Sequence, residues 1–388
     1  MEAHDEGERL LTTPDASDRP QDLVTVTKPS LPPLDEYVEL LRDIWDRRWL
    51  TNKGHYHDYF EEELARHLGV PHVSLFCNGM VALQVGLQAL RITGEVITTP
   101  YSFPATTHAI YWNHCTPVFG DVEPDTGNLD PDKVESLITP KTTAILPVHV
   151  YGTPCRVDRL QRIADTYGLK VFYDAAHAFG VRLRGTSVLN FGDLSMISFH
   201  ATKTFTTAEG GALATSDAKL KQRIDYLKNF GFADEVTVVG PGTNGKMNEL
   251  QAALGVVQLR HIDAEIAKRR RVTELYRQQL SGLRGLRVLP ERPDVNGNHG
   301  YFPIFVEPAY GISRDALYER LRGQGFFARR YFYPLISDFP CYRGLRREAA
   351  ADLSVANGMA ESVICLPVYA DLAATQVQAV CDSIRQAG

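Results

Sequence analysis

The sequence lacks the features that mark three large classes of protein. No uninterrupted apolar run reaches about 18 residues, the length that a helix needs to cross a bilayer. Basic residues are not in excess, since 41 Lys and Arg stand against 47 Asp and Glu for a net charge of -6, whereas binding a nucleic acid usually demands a concentrated basic face. The first residues, MEAHDEGERLL, are acidic and polar, unlike a secretion signal. We therefore expect a cytoplasmic enzyme with no membrane or nucleic-acid partner.

Paired cysteines are also absent. The six cysteines occur singly, with no CxxC pair among them. In a chain of this length, that spacing argues against a disulfide framework and against a tetrahedral zinc site. We expect no metal and interpret the cysteines as small apolar side chains in a reducing compartment.

What is present is the composition of a folded globular protein. Hydrophobic residues make up 44% of the 388 residues and charged residues 23%, which excludes wholesale disorder. At roughly 100–200 residues per domain, the length allows two or three domains. We predict a flexible arm rich in Asp, Glu, Thr and Pro over residues 1–33, a large domain over residues 34–265, and a smaller α+β domain over residues 266–388.

Short apolar runs alternate with helical stretches between about residues 72 and 215. This alternation predicts an α/β fold with a largely parallel sheet that helices cover on both faces. In such sheets, ligands bind at the carboxyl ends of the strands, so the residues that follow each run are candidates for a site. The predicted strands are residues 73–76, 95–99, 144–148, 170–173 and 195–199.

Three of these strand ends carry unusual polar groups. The first run leads through Asn78 and Gly79 into a helix, whose amino terminus attracts anions, although many ordinary turns contain Asn-Gly. Asp174 follows the fourth run, either as the counter-ion of a protonated heterocycle or as an N-cap of the next segment.

The third strand end carries Lys203, in a loop rich in Gly and Thr. A lone lysine is usually a surface residue, but partial desolvation would lower its pKa and supply the neutral amine that Schiff-base chemistry needs. An anion-binding turn, an acid and a lysine on one sheet are the three groups that pyridoxal phosphate requires.

Six segments at and around these positions resemble one known family. They are similar to the DegT/DnrJ/StrS-type sugar aminotransferases, which are pyridoxal-phosphate enzymes of fold-type I. The resemblance extends from about Trp49 to residue 388 and implies a mostly parallel seven-stranded sheet between helices in the large, cofactor-binding domain. The segments are CNGMVAL at 77–83, PYSFPAT at 100–106, DAAHAFG at 174–180, SFHATK at 198–203, EGGA at 209–212 and GPGTNGKMNEL at 240–250.

The resemblance implies three catalytic residues. Lys203 would hold pyridoxal phosphate covalently as a Schiff base and would later carry a proton between two carbons. Asp174 would keep the pyridine nitrogen protonated, and His177 would lie near the phenolic oxygen of the cofactor. One branch of the family has a histidine in place of this lysine and dehydrates its substrate, so Lys203 favours transamination.

The same resemblance implies the remaining contacts to the cofactor. Phe103 would stack on the ring, and the backbone amides of Gly79 and Met80, with the Ser198 hydroxyl, would hold the phosphate. Asn244 would reach the phosphate of a neighbouring subunit, which implies a homodimer with shared active sites.

The resemblance also suggests a substrate class. Relatives transfer an amino group from L-glutamate to a nucleotide-linked keto sugar, and we expect C4 of dTDP-4-keto-6-deoxyglucose as the acceptor, with Arg330 and Tyr331 as candidate contacts to it. The alternatives are C3 of a dTDP-3-keto-6-deoxyhexose and a non-catalytic regulator that keeps the fold; a decarboxylase lacks motif support. Either sugar product would fit antibiotic or surface-polysaccharide biosynthesis.

Overall fold

The computed structural model describes residues 23–345 and 352–388. The strands, in chain order, are β1 Val24–Thr25, β2 His72–Phe76, β3 Glu95–Thr98, β4 Thr116–Phe119, β5 Thr142–Ile145, β6 Lys170–Asp174, β7 Arg182–Leu183, β8 Thr186–Ser187, β9 Leu194–Ser198, β10 Gly211–Thr215, β11 Leu286–Val288, β12 Val295–Asn296, β13 Phe302–Val306, β14 Phe326–Phe327 and β15 Val363–Leu366. The helices are α1 Leu34–Arg47, α2 His55–Leu68, α3 Gly79–Ala89, α4 Ala105–Trp112, α5 Pro131–Val134, α6 Val157–Tyr167, α7 Ala218–Leu227, α8 Glu249–Leu280, α9 Arg314–Gly323, α10 Ser354–Ser362 and α11 Ala374–Arg385.

A seven-stranded sheet forms the centre of the fold, in the order β2-β10-β9-β6-β5-β3-β4. β10 is antiparallel to both of its neighbours, and the pairs from β9 to β4 are parallel. The predicted fold class, α/β with a mostly parallel seven-stranded sheet, is confirmed. Because the sheet is parallel from β9 onward, the carboxyl ends of β9 and β6 lie at one edge, and β2, two positions from β9, also ends there.

The two faces of this sheet pack into two different hydrophobic clusters. Successive residues of a strand point to opposite faces, so Val171 joins one cluster while Phe172 joins the other. The cluster with Val171 contains side chains of α2 and α6, and the cluster with Phe172 contains side chains of α3 and α4. Both faces are therefore covered by helices, as the continuous apolar runs of the sequence predict.

A second, antiparallel sheet of order β11-β13-β15 lies in the C-terminal part of the chain. It shares a hydrophobic cluster with α9, α11 and the last turns of α8. Asn248 caps α8 in a capping box, and the helix continues for 32 residues across the predicted domain boundary at residues 265 and 266. The boundary itself stays a prediction.

The described part of the predicted arm is docked on the protein. Val24 is buried, and β1 pairs in parallel with β14. The carbonyl of Val26 accepts a hydrogen bond from Val368 N, and Ser30 Oγ donates to Glu265. These backbone and side-chain contacts place residues 23–33 against the protein, and the flexibility of the arm stays a prediction. Residues 1–22 of that prediction lie outside the described residues.

No helix in the described part of the chain is both long and apolar enough to cross a membrane. The longest, α8, has 32 residues but carries several charged side chains, among them the segment KRRR at 268–271.

The contact between α3 and the sheet depends on a glycine. A Cβ built on Gly86 would lie 2.5 Å from Cζ of Phe172 and 2.9 Å from Cδ2 of Leu194. Both partners are buried side chains in the cluster beneath α3, so they have no free space into which to move. In contrast, Gly358 in α10 is exposed, and a Cβ there would meet no atom within 4 Å.

We predict opposite effects for two Gly→Ala substitutions. Gly86→Ala should lower the free energy of unfolding by about 1–3 kcal/mol through overpacking. Gly358→Ala should raise it by up to about 1 kcal/mol, because alanine favours a helix where no contact is strained. Chemical denaturation of the two variants checks the pair. Equal stability of both variants would contradict the close approach of α3 to the sheet.

Candidate active site

A cavity of about 550 Å³ opens at the sheet edge where β2, β6 and β9 end. Residues after all three strands line it, together with the start of α4 and residues of the C-terminal part. Eight of the ten predicted site residues line this cavity: Gly79, Met80, Phe103, Asp174, His177, Ser198, Lys203 and Tyr331. The structure therefore brings together most of the site that the strand ends and the family resemblance predict.

Lys203 enters the cavity from the loop between β9 and β10. Its backbone N–H donates to the carbonyl of His200 at 2.9 Å, which closes a turn over residues 200–203. Nζ donates to the hydroxyl oxygen of Tyr301 at 3.3 Å. Desolvation lowers the pKa of Lys203 to about 8, although the charge of Asp174 acts in the opposite direction. A substantial fraction of this amine is therefore neutral near physiological pH, as a nucleophile must be.

Asp174 is the last residue of β6, and its side chain is only 4% exposed. One carboxylate oxygen accepts a hydrogen bond from Thr106 Oγ1 at 2.6 Å, and the other accepts from Ala176 N at 3.0 Å. Burial raises the pKa of Asp174, while these hydrogen bonds and the charge of Lys203 lower it. The next element after β6 is β7, so no helix begins here, but the bond from Ala176 N is the local contact that the capping interpretation expects, and the choice between the two interpretations stays a prediction.

His177 packs among aromatic rings at the back of the cavity. Its ring is parallel to that of Phe332, with centroids 5.7 Å apart, and lies 4.8 Å from the ring of Tyr301. Tyr151 N donates to His177 Nδ1 at 3.3 Å. Burial and the positive charge of Lys203 hold the pKa of His177 well below its ordinary value. The ring is therefore neutral, with its proton on Nε2, where it can donate a hydrogen bond.

The turn after β2 presents the amino terminus of α3 to the cavity. Asn78 caps the helix by accepting from Val81 N at 2.9 Å. Gly79 and Met80, as the first helical residues, have no carbonyl of an earlier turn to bind, so their N–H groups are available to an anion. The turn also needs space, because a Cβ on Gly211 of β10 would lie 2.9 Å from Cα of Gly79. Ser198 at the end of β9 adds a hydroxyl beside Gly79.

Phe103 forms the outer wall of the cavity and is 58% exposed. An exposed aromatic ring at a cavity mouth offers a flat surface on which a planar ligand can stack. It lies two residues before α4, the helix that carries Thr106. The same short segment therefore supplies an aromatic ring at the cavity mouth and the hydroxyl that binds Asp174.

Two predicted residues do not line the cavity. Arg330 donates to Asp315 at 2.8 Å, and its guanidinium lies over the ring of Tyr318, so it is engaged elsewhere. Asn244 Oδ1 accepts from Lys246 Nζ at 3.0 Å. The prediction for Asn244 concerns a neighbouring subunit, and a single chain does not test it.

Sequence reasoning missed two residues that contact the predicted catalytic groups. Thr106 belongs to the recognised segment PYSFPAT, and its position after a predicted strand was a usable signal for a role beside Asp174. Tyr301 lies directly before β13 of the C-terminal sheet, 98 residues from Lys203. Nothing in the local pattern around Tyr301 indicates that contact.

Together these groups fit pyridoxal phosphate. Asp174 is a buried carboxylate whose hydrogen bonds come from neutral donors, so a protonated ring nitrogen would supply the missing positive charge. The α3 amino terminus provides donors for a phosphate, and Lys203 provides an amine for an aldehyde. All three face one cavity of suitable size.

Comparison with known proteins agrees with this geometry. The dTDP-4-amino-4,6-dideoxy-D-glucose transaminase of Escherichia coli is 52% identical over 354 residues, which cover 90% of this chain and 94% of the relative. The enzyme of the same name from Shigella dysenteriae is 46% identical and covers 94% and 98%. The crystal structure of DesI in the presence of its TDP-sugar product superposes with a TM-score of 0.90 at 38% identity and covers 94% and 92%.

The resemblance inferred from the six segments is confirmed, and the match begins at residue 34, earlier than the predicted start near Trp49. The DegT/DnrJ/EryC1/StrS aminotransferase family matches residues 34–385, which begin with α1 and end with α11. The chain belongs to the DegT/DnrJ/EryC1/StrS aminotransferase family.

Proposed function

We propose that this chain is a pyridoxal-phosphate-dependent aminotransferase that places an amino group on C4 of dTDP-4-keto-6-deoxyglucose, with L-glutamate as the donor. The observation that carries the proposal is the meeting of Lys203, Asp174 and the α3 amino terminus in one cavity. The substrate rests on the relatives at 52% and 46% identity, whose names state the corresponding amino sugar.

The residues divide the chemistry among them. Pyridoxal phosphate, when bound, supplies an electron sink for cleavage of the C–H bond next to the amine. Lys203 Nζ would hold the cofactor and, once free of it, would move protons between carbon atoms: away from Cα of the donor in the first half-reaction and onto C4 of the sugar in the second. Asp174 holds a proton on the ring nitrogen, and His177 Nε2 donates to the phenolic oxygen.

The remaining contacts fix the position of the cofactor. The N–H groups of Gly79 and Met80 and the Ser198 hydroxyl bind the phosphate, and Phe103 stacks on the ring. Tyr331 lines the cavity beside Lys203, where it would contact the sugar nucleotide. Arg330 would need to leave Asp315 to do the same.

We further propose a cytoplasmic homodimer in which Asn244 of each protomer reaches the phosphate bound by the other. Asn244 belongs to the described segment between α7 and α8, which exposes Phe230, Val236 and Val239. Exposed apolar side chains in one segment are typical of a surface that another subunit covers. The same proposal keeps the large domain at residues 34–265 and the small domain at residues 266–388.

The identities favour C4 over C3 as the site of amination. The dTDP-3-amino-3,4,6-trideoxy-α-D-glucose transaminase of Streptomyces venezuelae is 32% identical over 330 residues, well below the two C4 enzymes. A non-catalytic regulator is disfavoured because Lys203 and Asp174 are both retained and both face the cavity.

The direct test is incubation with L-glutamate and a panel of 4-keto and 3-keto dTDP-sugars, with product identification by mass spectrometry and NMR. We expect amination at C4. Lys203→Ala should lower turnover by about a thousandfold or more, because no other amine replaces Nζ. Lys133→Ala, on the short surface helix α5, is the control and should keep wild-type turnover. Turnover of Lys203→Ala within about tenfold of the wild-type value would refute the assigned role.

Asp174→Asn separates catalysis from stability. The amide keeps an acceptor for Ala176 N, and the Thr106 hydroxyl can turn to accept, so the free energy of unfolding of the apoprotein should change by no more than about 1 kcal/mol. Turnover should fall by about a hundredfold, because a neutral amide cannot hold the ring proton. Denaturation curves and steady-state rates check the two halves. A large loss of stability, with wild-type turnover in the molecules that remain folded, would show that Asp174 is only structural.

The lowered pKa of Lys203 predicts how the apoprotein captures its cofactor. Only the neutral amine attacks an aldehyde. The rate at which the apoprotein reacts with pyridoxal phosphate should therefore rise about tenfold per pH unit at pH values below the pKa of Lys203, and it should level off above about pH 8. A lysine with the ordinary pKa of 10.5 would keep the rate rising until the pH reached that value. The initial growth of the visible band after adding pyridoxal phosphate measures this rate, with Lys203→Ala as the blank.

A further inference from the structure

The amine of Lys203 contacts a group that the proposed function leaves without a task. Nζ donates to the hydroxyl oxygen of Tyr301 at 3.3 Å, across 98 residues of sequence. Tyr301 lies directly before β13, in the C-terminal part of the chain, whereas Lys203 follows β9 of the central sheet. The contact therefore depends on how the two parts of the chain pack together and is not a by-product of one local loop.

The ring of Tyr301 is held from several sides, so its hydroxyl has a defined position. Its centroid lies 4.8 Å from that of His177, 5.7 Å from that of Tyr151 and 6.3 Å from that of Tyr331. The following strand, β13, is paired on both sides by β11 and β15. A side chain fixed in this way can hold a flexible one in place. Lysine carries its amine on a flexible chain of four carbons, so the position of Nζ depends on such a contact.

A phenol suits an amine that changes its protonation state. Its oxygen accepts from an ammonium, and its O–H donates to a neutral amine, so one group binds both forms. Burial raises the pKa of Tyr301, so the phenol keeps its own proton while Lys203 titrates. A carboxylate at the same place would instead form an ion pair and retain the proton on Nζ.

On the basis of the proposed function, we propose that Tyr301 is the positioning residue of Lys203: its hydroxyl holds Nζ at the reacting carbons while the amine is free of the cofactor. No bond to carbon is made or broken by the phenol. When Nζ takes up a proton, the phenol changes from donating through its O–H to accepting at its oxygen, and it changes back when Nζ gives the proton up.

Tyr301→Phe tests the role because it removes the oxygen and keeps the ring against His177. The matched control is Tyr151→Phe, which removes a hydroxyl from the same aromatic group; that hydroxyl bonds the Tyr331 carbonyl and the Tyr101 hydroxyl and does not bond Nζ. In single-turnover reactions with glutamate, Tyr301→Phe should react about ten- to a hundredfold more slowly at saturation. The glutamate concentration that gives half of the maximal rate should change by less than about twofold, since ground-state binding is intact.

A second readout does not depend on turnover. The pH midpoint for capture of pyridoxal phosphate by the apoprotein reports the protonation of Nζ. In Tyr301→Phe this midpoint should fall by about half a unit or more, because the hydrogen bond that the ammonium loses is charge-assisted and stronger than the one that the neutral amine loses. Tyr151→Phe should keep the wild-type midpoint, and a merely structural role for Tyr301 would leave the midpoint unmoved in both variants.

The outcomes distinguish this inference from the proposed function. The proposed function itself is refuted if the wild-type protein forms no visible absorption band with pyridoxal phosphate, or if that band does not change when glutamate is added. If the wild type responds and Tyr301→Phe matches Tyr151→Phe in rate and midpoint, only the role of Tyr301 is overturned. Tyr301→Leu, which lacks both ring and oxygen, serves if Tyr301→Phe does not fold. A wild-type rate and midpoint in Tyr301→Leu would overturn the inference equally.

Discussion

The burial of a carboxylate and an amine in one cavity, each bound to neutral partners, is the constraint on which the site depends. Asp174 is held by Thr106 and Ala176, and Lys203 by Tyr301, so the two charges influence each other through space. Desolvation moves both pKa values toward neutrality, which leaves the carboxyl in need of a cation and the amine able to attack. The rest of the fold keeps these two groups in place and away from bulk water.

The cavity is assembled from two parts of the chain with different contributions. The central sheet supplies the ionisable groups and the anion-binding turn at the ends of β6, β9 and β2. The C-terminal part supplies an aromatic wall that contains Tyr301, Tyr331 and Phe332. The N-terminal segment touches both parts, since Val26 binds Val368 and Thr27 Oγ1 donates to the carbonyl of Thr202 at 3.4 Å. The environment of Lys203 is therefore a product of long-range packing.

The sequence predicts the first contribution well and the second poorly. Buried parallel strands are continuous apolar runs, and a polar residue after such a run is a local signal, so the positions of Asp174 and Lys203 could be predicted. Tyr301 is one tyrosine among 17, and its contact arises only when β13 packs beside the cavity. The ion pair of Arg330 with Asp315 could not be predicted for a related reason, because it depends on how α9 packs against the segment that follows β14. The docking of residues 23–33 also lacks a local pattern, because β1 has only two residues.

The single reversed strand, β10, has a consequence for the size of ligand that the protein can hold. It separates β2 from β9, so the turn that faces a phosphate and the loop that bears the amine start two strand spacings apart, about 9.5 Å. Gly211 at the start of β10 has no side chain to fill the gap between them. Any side chain at position 211 would lie within 3 Å of the backbone of Gly79, so the room for a phosphate beside the end of β9 depends on this one glycine.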